Sequence, residues 1–198
     1  MSEIVLVIVG DGGHSKVVCE SARAAGLSNL CVIDENAGDS LERTAATATH
    51  FLVAIGDNET RARVFERALA AGLLPYSLID PTAVVASSAV IGRGVFIAPR
   101  AVVNPFATIE DDAIINTGAI VEHDCVVSAH GFVAPGAVMC GACRLGEYAF
   151  LGANATMIPL VELGRHSIAG AGATITKSFG DFVLVSDTPA QKRKAVSS

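Results

Sequence analysis

The chain has 198 residues, a formal net charge of −6, 17% charged residues and a mean hydropathy of +0.50. The negative charge argues against a nucleic-acid surface, because binding to phosphates needs an excess of lysine and arginine. No apolar run approaches the roughly 18 residues that a membrane span needs. We therefore attribute the high hydropathy to surface that each subunit buries against another subunit.

The first residues, MSEIVLVIVGDGG, lead directly into a strand and a glycine-rich turn. They contain neither the basic segment nor the cleavage site of a signal peptide. The five cysteines are an odd number without the spacing of a disulfide framework, which is typical of a reducing compartment. Together these features predict a cytoplasmic protein.

Residues 1–78 alternate apolar runs with helix-like segments. The apolar runs predict strands at 5–9, 30–34 and 51–56. Segments that suit helices and end at or just before a glycine predict helices at 14–26 and 58–71. This alternation is typical of a small βαβ domain with a parallel sheet.

The sequence GDGGH, residues 10–14, joins the first strand to the first helix. Backbone N–H groups in such a turn can hold a phosphate at the helix N-terminus. The turn matches neither the full dinucleotide fingerprint nor a Walker A loop, so a tight turn without a ligand is the alternative. Asp34 closes the second strand, where an acidic side chain can bind ribose or base donors.

From residue 79 the sequence repeats with a period of six, and 17 consecutive hexads run to residue 180 without an insertion. The first residue of each hexad is apolar, and the fifth is Ala, Cys, Ser or Gly in 14 of the 17. A hexapeptide repeat is the signature of a parallel β-helix. With three hexads in each triangular coil, residues 79–180 are predicted to form nearly six coils, followed by a C-terminal tail at 181–198.

The sixth residue of each hexad should point outward, and sixth residues that are 18 apart should stack on one face. The first face then carries Phe96, Ile114, Phe132, Phe150 and Ile168. The second carries Val84, Val102, Ile120, Val138, Thr156 and Thr174, and the third carries Val90, Thr108, Val126, Arg144 and Glu162. Since a monomer rarely exposes apolar ladders of this length, we expect a homotrimer of β-helices. Cover by the N-terminal domain is the alternative.

The sequence VEHDC, residues 121–125, places a histidine between two acidic residues at a predicted corner of the β-helix. Histidine suits proton transfer near neutral pH, and a carboxylate on one ring nitrogen would raise the basicity of the other. Either Glu122 or Asp124 can supply that carboxylate. His123 is thus a candidate general base facing a groove between subunits, and a solvated polar turn is the alternative.

The cysteines and the other histidines do not predict a metal site. In CxxC, the hexad register turns Cys143 inward and Cys140 outward, so the two thiols point to opposite sides of the wall. Cys125 is also an inward small residue, which favours packing over nucleophilic catalysis. The histidines of the β-helix include no closely spaced pair, so we expect no metal.

The sequence VEHDCV, with NTGAI before it and VAPGAV and LGANATMIP after it, resembles the hexapeptide-repeat sugar acetyltransferases. The similarity extends to the N-terminal GDGGH, VIDE and AIGDNETR, and therefore covers nearly the whole chain. It is strongest with the enzymes of the bacillosamine pathway, which act on UDP-4-amino-4,6-dideoxy sugars. The resemblance implies a left-handed β-helix and acetyl-CoA as co-substrate, with His123 as the base and Asp124 as its support.

The resemblance also implies binding residues. The nucleotide-sugar contacts correspond to Gly12, Gly13, His14, Asp34, Glu35 and Gly56, with Asn116 as a further substrate contact. Acetyl-CoA is expected near Gly141 and Ala153. The family usually has a second histidine near the thioester, and this chain has Phe132 at that position. His130 is the nearest histidine and would lie either in the groove or in solvent.

Together these features predict an N-acetyltransferase that uses acetyl-CoA to acetylate the 4-amino group of a UDP-4-amino-4,6-dideoxy sugar. Direct transfer would take place between subunits of a homotrimer, without nucleic acid, membrane or metal. The basic residues Lys192, Arg193 and Lys194 can either meet CoA phosphates or remain solvated. The alternatives are an O-acetyltransferase of the sialic acid type and a non-catalytic trimer that binds a nucleotide-sugar.

Overall fold

A computed structural model of the chain describes residues 4–34, 40–44 and 46–195. Its N-terminal unit consists of β1 (Leu6–Val9), α1 (Gly13–Ala24), β2 (Leu30–Ile33), α2 (Ser40–Thr44), β3 (His50–Val53), α3 (Asn58–Ala70) and β4 (Leu74–Pro75). The four strands are parallel, in the order β2-β1-β3-β4. The predicted βαβ arrangement is confirmed, and the short elements α2 and β4 are additions that no sequence pattern predicts.

The hexads form a parallel β-helix of two-residue strands that repeat every six residues. These strands are β5 (Leu78–Ile79), β6 (Val84–Val85), β7 (Val90–Ile91), β8 (Phe96–Ile97), β9 (Val102–Val103), β10 (Thr108–Ile109), β11 (Ile114–Ile115), β12 (Ile120–Val121), β13 (Val126–Val127), β14 (Phe132–Val133), β15 (Val138–Met139), β16 (Arg144–Leu145), β17 (Phe150–Leu151), β18 (Thr156–Met157), β19 (Glu162–Leu163), β20 (Ile168–Ala169) and β21 (Thr174–Ile175). Each strand pairs with the strand that comes three strands later in the chain, so paired residues are 18 apart, as Phe132 and Phe150 are.

Three sheets form the walls of this prism. Face 1 contains β5, β8, β11, β14, β17 and β20, face 2 contains β6, β9, β12, β15, β18 and β21, and face 3 contains β7, β10, β13, β16 and β19. The first and fifth residues of the hexads form one continuous interior, and most of them are fully buried. The interior is narrow, which explains the small residue at position five and the apolar residue at position one.

The N-terminal unit covers face 1. The side chains of Phe96 and Phe132 are 0% and 6% exposed, and they pack in one cluster with Leu6, Ile8 and Val18. For Phe96, Ile114 and Phe132 the alternative, cover by the N-terminal domain, holds, and burial against another subunit is wrong. Phe150 and Ile168, further along the same face, are only partly buried. The expected homotrimer stays a prediction. Faces 2 and 3 stay accessible within the chain, since Val84 and Val90 are 63% and 61% exposed.

Two further strands follow the last hexad. β22 (Val183–Ser186) pairs parallel with β20 and extends face 1, and β23 (Gln191–Ala195) returns antiparallel to β22. The predicted domain boundaries at residues 78 and 180 stay predictions. Within the ranges that the structure describes, none of the helices combines the length and apolar character needed to cross a membrane.

Candidate active site

His123 and Asp124 lie at the corner where the chain passes from face 2 to face 3, between β12 and β13. Asp124 has φ of 60°, a left-handed conformation that aspartate tolerates better than most residues. Its carboxylate Oδ2 lies 2.8 Å from His123 Nδ1. Asp124 is therefore the residue that orients the imidazole, whereas a Glu122 carboxylate oxygen accepts a hydrogen bond from the His123 backbone N–H at 3.3 Å.

The pair is open to solvent, with 60% and 58% of the two side chains exposed. The hydrogen bond that the Asp124 carboxylate accepts raises the pKa of His123, and the negative charges of Asp124 and Glu122 act in the same direction. When Nδ1–H donates a hydrogen bond to the carboxylate, the ring lone pair that can accept a proton is on Nε2. Nε2 is thus the nitrogen that can accept a proton.

Gly141 lies one coil after His123 on the same corner. A Cβ atom at residue 141 would lie 2.7 Å from both Cε1 and Nε2 of His123, so the ring occupies the space that a side chain would need. The Gly141 carbonyl accepts a bond from Leu160 N–H, whereas its own N–H donates to no acceptor among the described residues. That N–H is therefore a candidate donor to a bound oxygen.

A cavity at the carboxyl end of the N-terminal sheet is lined by residues 10–14 and 54–56. It brings together four of the predicted substrate-binding residues, namely Gly12, Gly13, His14 and Gly56. A Cβ atom at any of these three glycines would have no atom within 4 Å, so they border open space. Helix α1 starts here without a side-chain cap, which leaves its first N–H groups available to an anion.

Two acidic residues were predicted at the end of β2. Asp34 directly follows Ile33, whose carbonyl accepts a hydrogen bond from Gly10 N–H at 2.8 Å, and it thus lies beside the glycine turn. Glu35 lies outside the described residues.

His14 packs its ring edge against Phe96, with 5.6 Å between the ring centroids. Burial, assisted by the positive charge of Arg61, lowers the pKa of His14 to about 4, so the ring is neutral at pH 7. Its Nε2 atom is buried without a hydrogen-bond partner in the described part of the chain. A neutral donor or acceptor is therefore present in the wall of the glycine-turn cavity.

A second cavity, of about 330 Å³, starts at Gly56 and runs between α3 and face 1. Its walls are Gly56, Asp57, Asn58, Glu59, Tyr148, Phe150, His166 and Ile168. His166 Nδ1 lies 2.7 Å from a carboxylate oxygen of Glu59 and so joins the two sides of the cavity. Gly56 lines both cavities, so the two lie on either side of this residue.

The structure places Phe132 and His130 away from the His123 corner. Phe132 is almost fully buried on face 1, where it stacks on Phe150 with 5.0 Å between centroids. His130 is 8% exposed, and its Nδ1 lies 2.8 Å from Asp112 Oδ2. Both positions that the sequence left open for His130, the groove and the solvent, are therefore wrong.

The remaining predicted residues lie on different corners of the prism. Asn116 directly follows β11 and Ala153 lies two residues after β17, so both are at the corner between face 1 and face 2. Gly141 instead lies at the same corner as His123. Asn116 uses its side-chain oxygen to accept a hydrogen bond from Thr117 N–H at 2.7 Å. The His123 corner is opposite face 1, on which the glycine turn packs. A single chain therefore does not bring the catalytic and the substrate-binding residues together.

The thiols occupy the places that the register predicts. Cys125 and Cys143 are buried in the β-helix interior, and Cys143 donates to the Ile158 carbonyl at 2.9 Å. All five cysteines are free. Over the described ranges, no group of three His, Cys, Asp or Glu residues is arranged to hold a metal ion.

The sequence patterns missed a buried polar cluster under α3, formed by Asn58, Arg61 and Asp112 together with His130. Arg61 Nε lies 3.2 Å from Asp112 Oδ2, across 51 residues of sequence. The only local signal was the spacing of Asn58 and Arg61, which places both side chains on one face of α3. Their partners on the β-helix could not be read from that spacing.

Comparisons with known proteins agree with this architecture. The family model of the PglD N-terminal domain matches residues 5–68. A curated relative, UDP-N-acetylbacillosamine N-acetyltransferase from Bacillus subtilis, is 34% identical over 109 residues, which are 46% of this chain and 50% of the relative. The matched segment thus spans half the length of that relative.

Two solved structures match almost the whole chain. A variant of perosamine N-acetyltransferase from Caulobacter crescentus, in complex with CoA and GDP-perosamine, is 34% identical, with 96% of each chain covered and a TM-score of 0.92. The acetyltransferase domain of PglB from Neisseria gonorrhoeae, in complex with acetyl coenzyme A, is 33% identical over 95% of this chain and 98% of that chain, with a TM-score of 0.89. The predicted fold class, an α/β unit followed by a left-handed β-helix, is confirmed. The chain belongs to the hexapeptide-repeat sugar N-acetyltransferases.

Proposed function

We propose that this protein transfers the acetyl group of acetyl-CoA to the 4-amino group of a UDP-linked 4-amino-4,6-dideoxy sugar. The observation that carries the proposal is the exposed His123–Asp124 pair, whose free Nε2 lies over Gly141. Relatives that match nearly the whole chain were solved with CoA or acetyl coenzyme A, which supports the same co-substrate here. The proposed location is the cytoplasm, which the free cysteines support because a reducing compartment keeps thiols unpaired.

In the proposed reaction, the neutral 4-amino nitrogen attacks the thioester carbonyl carbon of acetyl-CoA. His123 Nε2 accepts the proton that the nitrogen loses, and Asp124 stabilises the imidazolium through Nδ1. Collapse of the tetrahedral intermediate forms the amide and expels the CoA thiolate, which takes up the proton from His123. The unpaired Gly141 N–H is the proposed donor to the intermediate's oxyanion.

The nucleotide part of the substrate is assigned to the glycine-turn cavity. N–H groups of Gly12, Gly13 and the start of α1 would bind the phosphates, and Asp34 would bind the ribose or the base. Gly56, which has no side chain, borders both this cavity and the second cavity, and the sugar is assigned to the second. Glu35 and Asn116 stay proposed contacts, with neutral His14 as a hydrogen-bonding group in the wall.

The geometry supports a homotrimer with sites between subunits. The His123 corner and the glycine turn are on opposite sides of one chain, so a complete site needs the corner of one subunit beside face 1 of the next. The exposed valines of face 2 and face 3 are available for such packing. The same argument assigns acetyl-CoA to a groove with Gly141 from one subunit and Ala153 from another. Phe132, which is 6% exposed, contributes little surface to such a groove.

A GDP-linked sugar is a second candidate substrate. The perosamine N-acetyltransferase that covers 96% of this chain was solved with GDP-perosamine, whereas the curated relative acts on a UDP-linked sugar. Both sugars would use the same base, so the choice depends on the pocket that receives the nucleotide.

The test is thiol release from acetyl-CoA with four acceptors: a UDP-4-amino-4,6-dideoxy sugar, the GDP-linked equivalent, the UDP-linked 4-hydroxy analogue and sialic acid. We expect rapid release with a 4-amino substrate and an amide product in mass spectrometry. Release only with a hydroxyl acceptor would establish an O-acetyltransferase instead. Release no faster than the blank with all four, together with nucleotide-sugar binding, would favour the non-catalytic trimer.

A further inference from the structure

Arg61 is an arginine whose side chain is fully buried between the N-terminal unit and the β-helix. Its side chain is 0% exposed although it carries a positive charge. Nε donates to the Asp112 carbonyl at 3.0 Å and Nη2 donates to the His130 carbonyl at 2.6 Å. The Arg61 guanidinium thus links α3 of the N-terminal unit to two successive coils of the β-helix.

Asn58 extends this cluster by one helical turn. Its side-chain amide donates to the carbonyls of Tyr148 and Ala149, at 2.9 and 3.3 Å. Its side-chain oxygen accepts a hydrogen bond from Arg61 Nη1 at 2.8 Å. Together the two side chains contact three consecutive coils at the corner between faces 3 and 1, and we call them the interdomain clamp.

The clamp also contacts the loop that lines both cavities. Arg61 Nη1 donates to the Ile55 carbonyl at 3.2 Å. Ile55 and Gly56 line the glycine-turn cavity, and residues 56–59 line the second cavity. The position of this loop relative to the β-helix therefore depends on the same hydrogen bonds that join the two units.

We propose that Arg61 and Asn58 are positioning residues for the nucleotide-sugar. Their hydrogen bonds fix the position of residues 55–58 relative to face 1. A bound substrate then presents its amine at a defined point along the β-helix. This inference rests on the proposed function, because it assigns the nucleotide-sugar to the two cavities. A purely structural interdomain contact would stabilise the fold without affecting substrate binding.

The test compares Asn58→Ala and Arg61→Lys with the control Arg165→Lys. Arg165 forms an exposed pair with Asp181 at 2.7 Å and makes no contact with the loop. Lysine keeps the charge at residue 61 but cannot reproduce the fork of donors. We expect KM for the nucleotide-sugar to rise about tenfold in both clamp variants, with KM for acetyl-CoA and saturated kcat changed less than about threefold. Arg61→Lys decides the positioning role, because Arg61 lines neither cavity, whereas Asn58 is part of the wall of the second.

Hydrogen exchange of residues 55–58 provides a readout that does not need turnover. The clamp variants should exchange these amides faster than wild type at matched global stability, and the control should not. Faster exchange with an unchanged KM for the nucleotide-sugar would overturn the positioning role. Unchanged exchange would overturn the clamp itself. Absence of turnover in wild type would contradict the proposed function, and the exchange result would still decide whether the clamp orders the loop.

Discussion

The imidazole of His123 lies directly against Gly141, one coil further along the β-helix, at a distance that leaves no room for a methyl group on residue 141. The contact explains how an exposed histidine keeps one orientation. Asp124 holds one nitrogen, and the bare backbone of Gly141 supports the other side of the ring. The arrangement depends on a residue 18 positions away, which the 18-residue coil brings alongside.

Gly141→Ala should reduce activity without destabilising the fold. The added Cβ would lie 2.7 Å from His123 Nε2, and its three nearest atoms all belong to this exposed ring, so the ring should move. A displacement of about 1 Å in a catalytic group can cost roughly 10²-fold in rate. Steady-state kinetics and thermal unfolding would be compared with Gly180→Ala, whose Cβ would meet no atom within 4 Å. An unchanged kcat would show that the ring position is unimportant.

His123→Ala should lower kcat/KM by about 10²-fold or more, because the attacking amine then lacks a positioned base. Binding of acetyl-CoA and nucleotide should stay near wild type, since the side chain projects from a corner and is 60% exposed. His50→Ala is the matched control, because His50 begins β3 at the sheet edge opposite the glycine turn. Similar losses in both variants would contradict the assignment of the base.

Asp124→Asn should shift the pH profile as well as the rate. The Asp124 carboxylate raises the pKa of His123, so its removal lowers that pKa and extends the unprotonated base to more acidic pH. The acid limb of log kcat/KM against pH should therefore move to lower pH, while the plateau falls. Asparagine tolerates the positive φ at this residue, so the backbone should persist. An acid limb that stays in place would assign the titration to another group.

Mixed trimers should regain activity from two inactive chains. A His123→Ala chain keeps its glycine turn, and a Gly12→Asp chain keeps its base but places a carboxylate where phosphates should bind. If each site takes the turn from one subunit and the base from its neighbour, one of the three sites is intact in every trimer that contains both chains. Co-expression with two affinity tags and an activity assay of the doubly tagged trimers would measure this. No recovery would place the whole site within one chain.

His14 should make the fold less stable in mildly acidic solution. Its pKa is lowered from 6.5 to about 4, so the folded state binds fewer protons than the unfolded state between these values. Stability should therefore decrease as the pH falls from 6.5 toward 4. Thermal unfolding across this range should show a weaker pH dependence in His14→Gln than in wild type. An equally steep pH dependence in both proteins would assign it to another group.

The hexad pattern was sufficient to assign almost every residue of the β-helix to its place. The prism is narrow, so only a small residue at position five and an apolar residue at position one fit inside it. This steric requirement repeats every six residues and can be read locally. The same register placed His123 and Asp124 on a corner, Cys143 inside and Cys140 outside, before any contact was known.

Other features depend on how the two units meet. The aromatic ladder of face 1 has the same pattern whether another subunit or the N-terminal unit covers it, so the pattern could not distinguish the two. His130 occupies the same hexad position as Asp124, yet one is buried and the other is solvated. The difference arises because α3 packs beside one corner and leaves the other open.

The strand register, the composition of the interior and the corner that carries the candidate base can thus be predicted from the hexads alone, because they follow from a repeated local steric rule. The three-dimensional packing was needed to show which face the N-terminal unit covers and that Arg61 reaches Asp112 and His130 across 51 and 69 residues. Such contacts are set by the packing of two separately patterned surfaces, and no spacing within either surface specifies its partner.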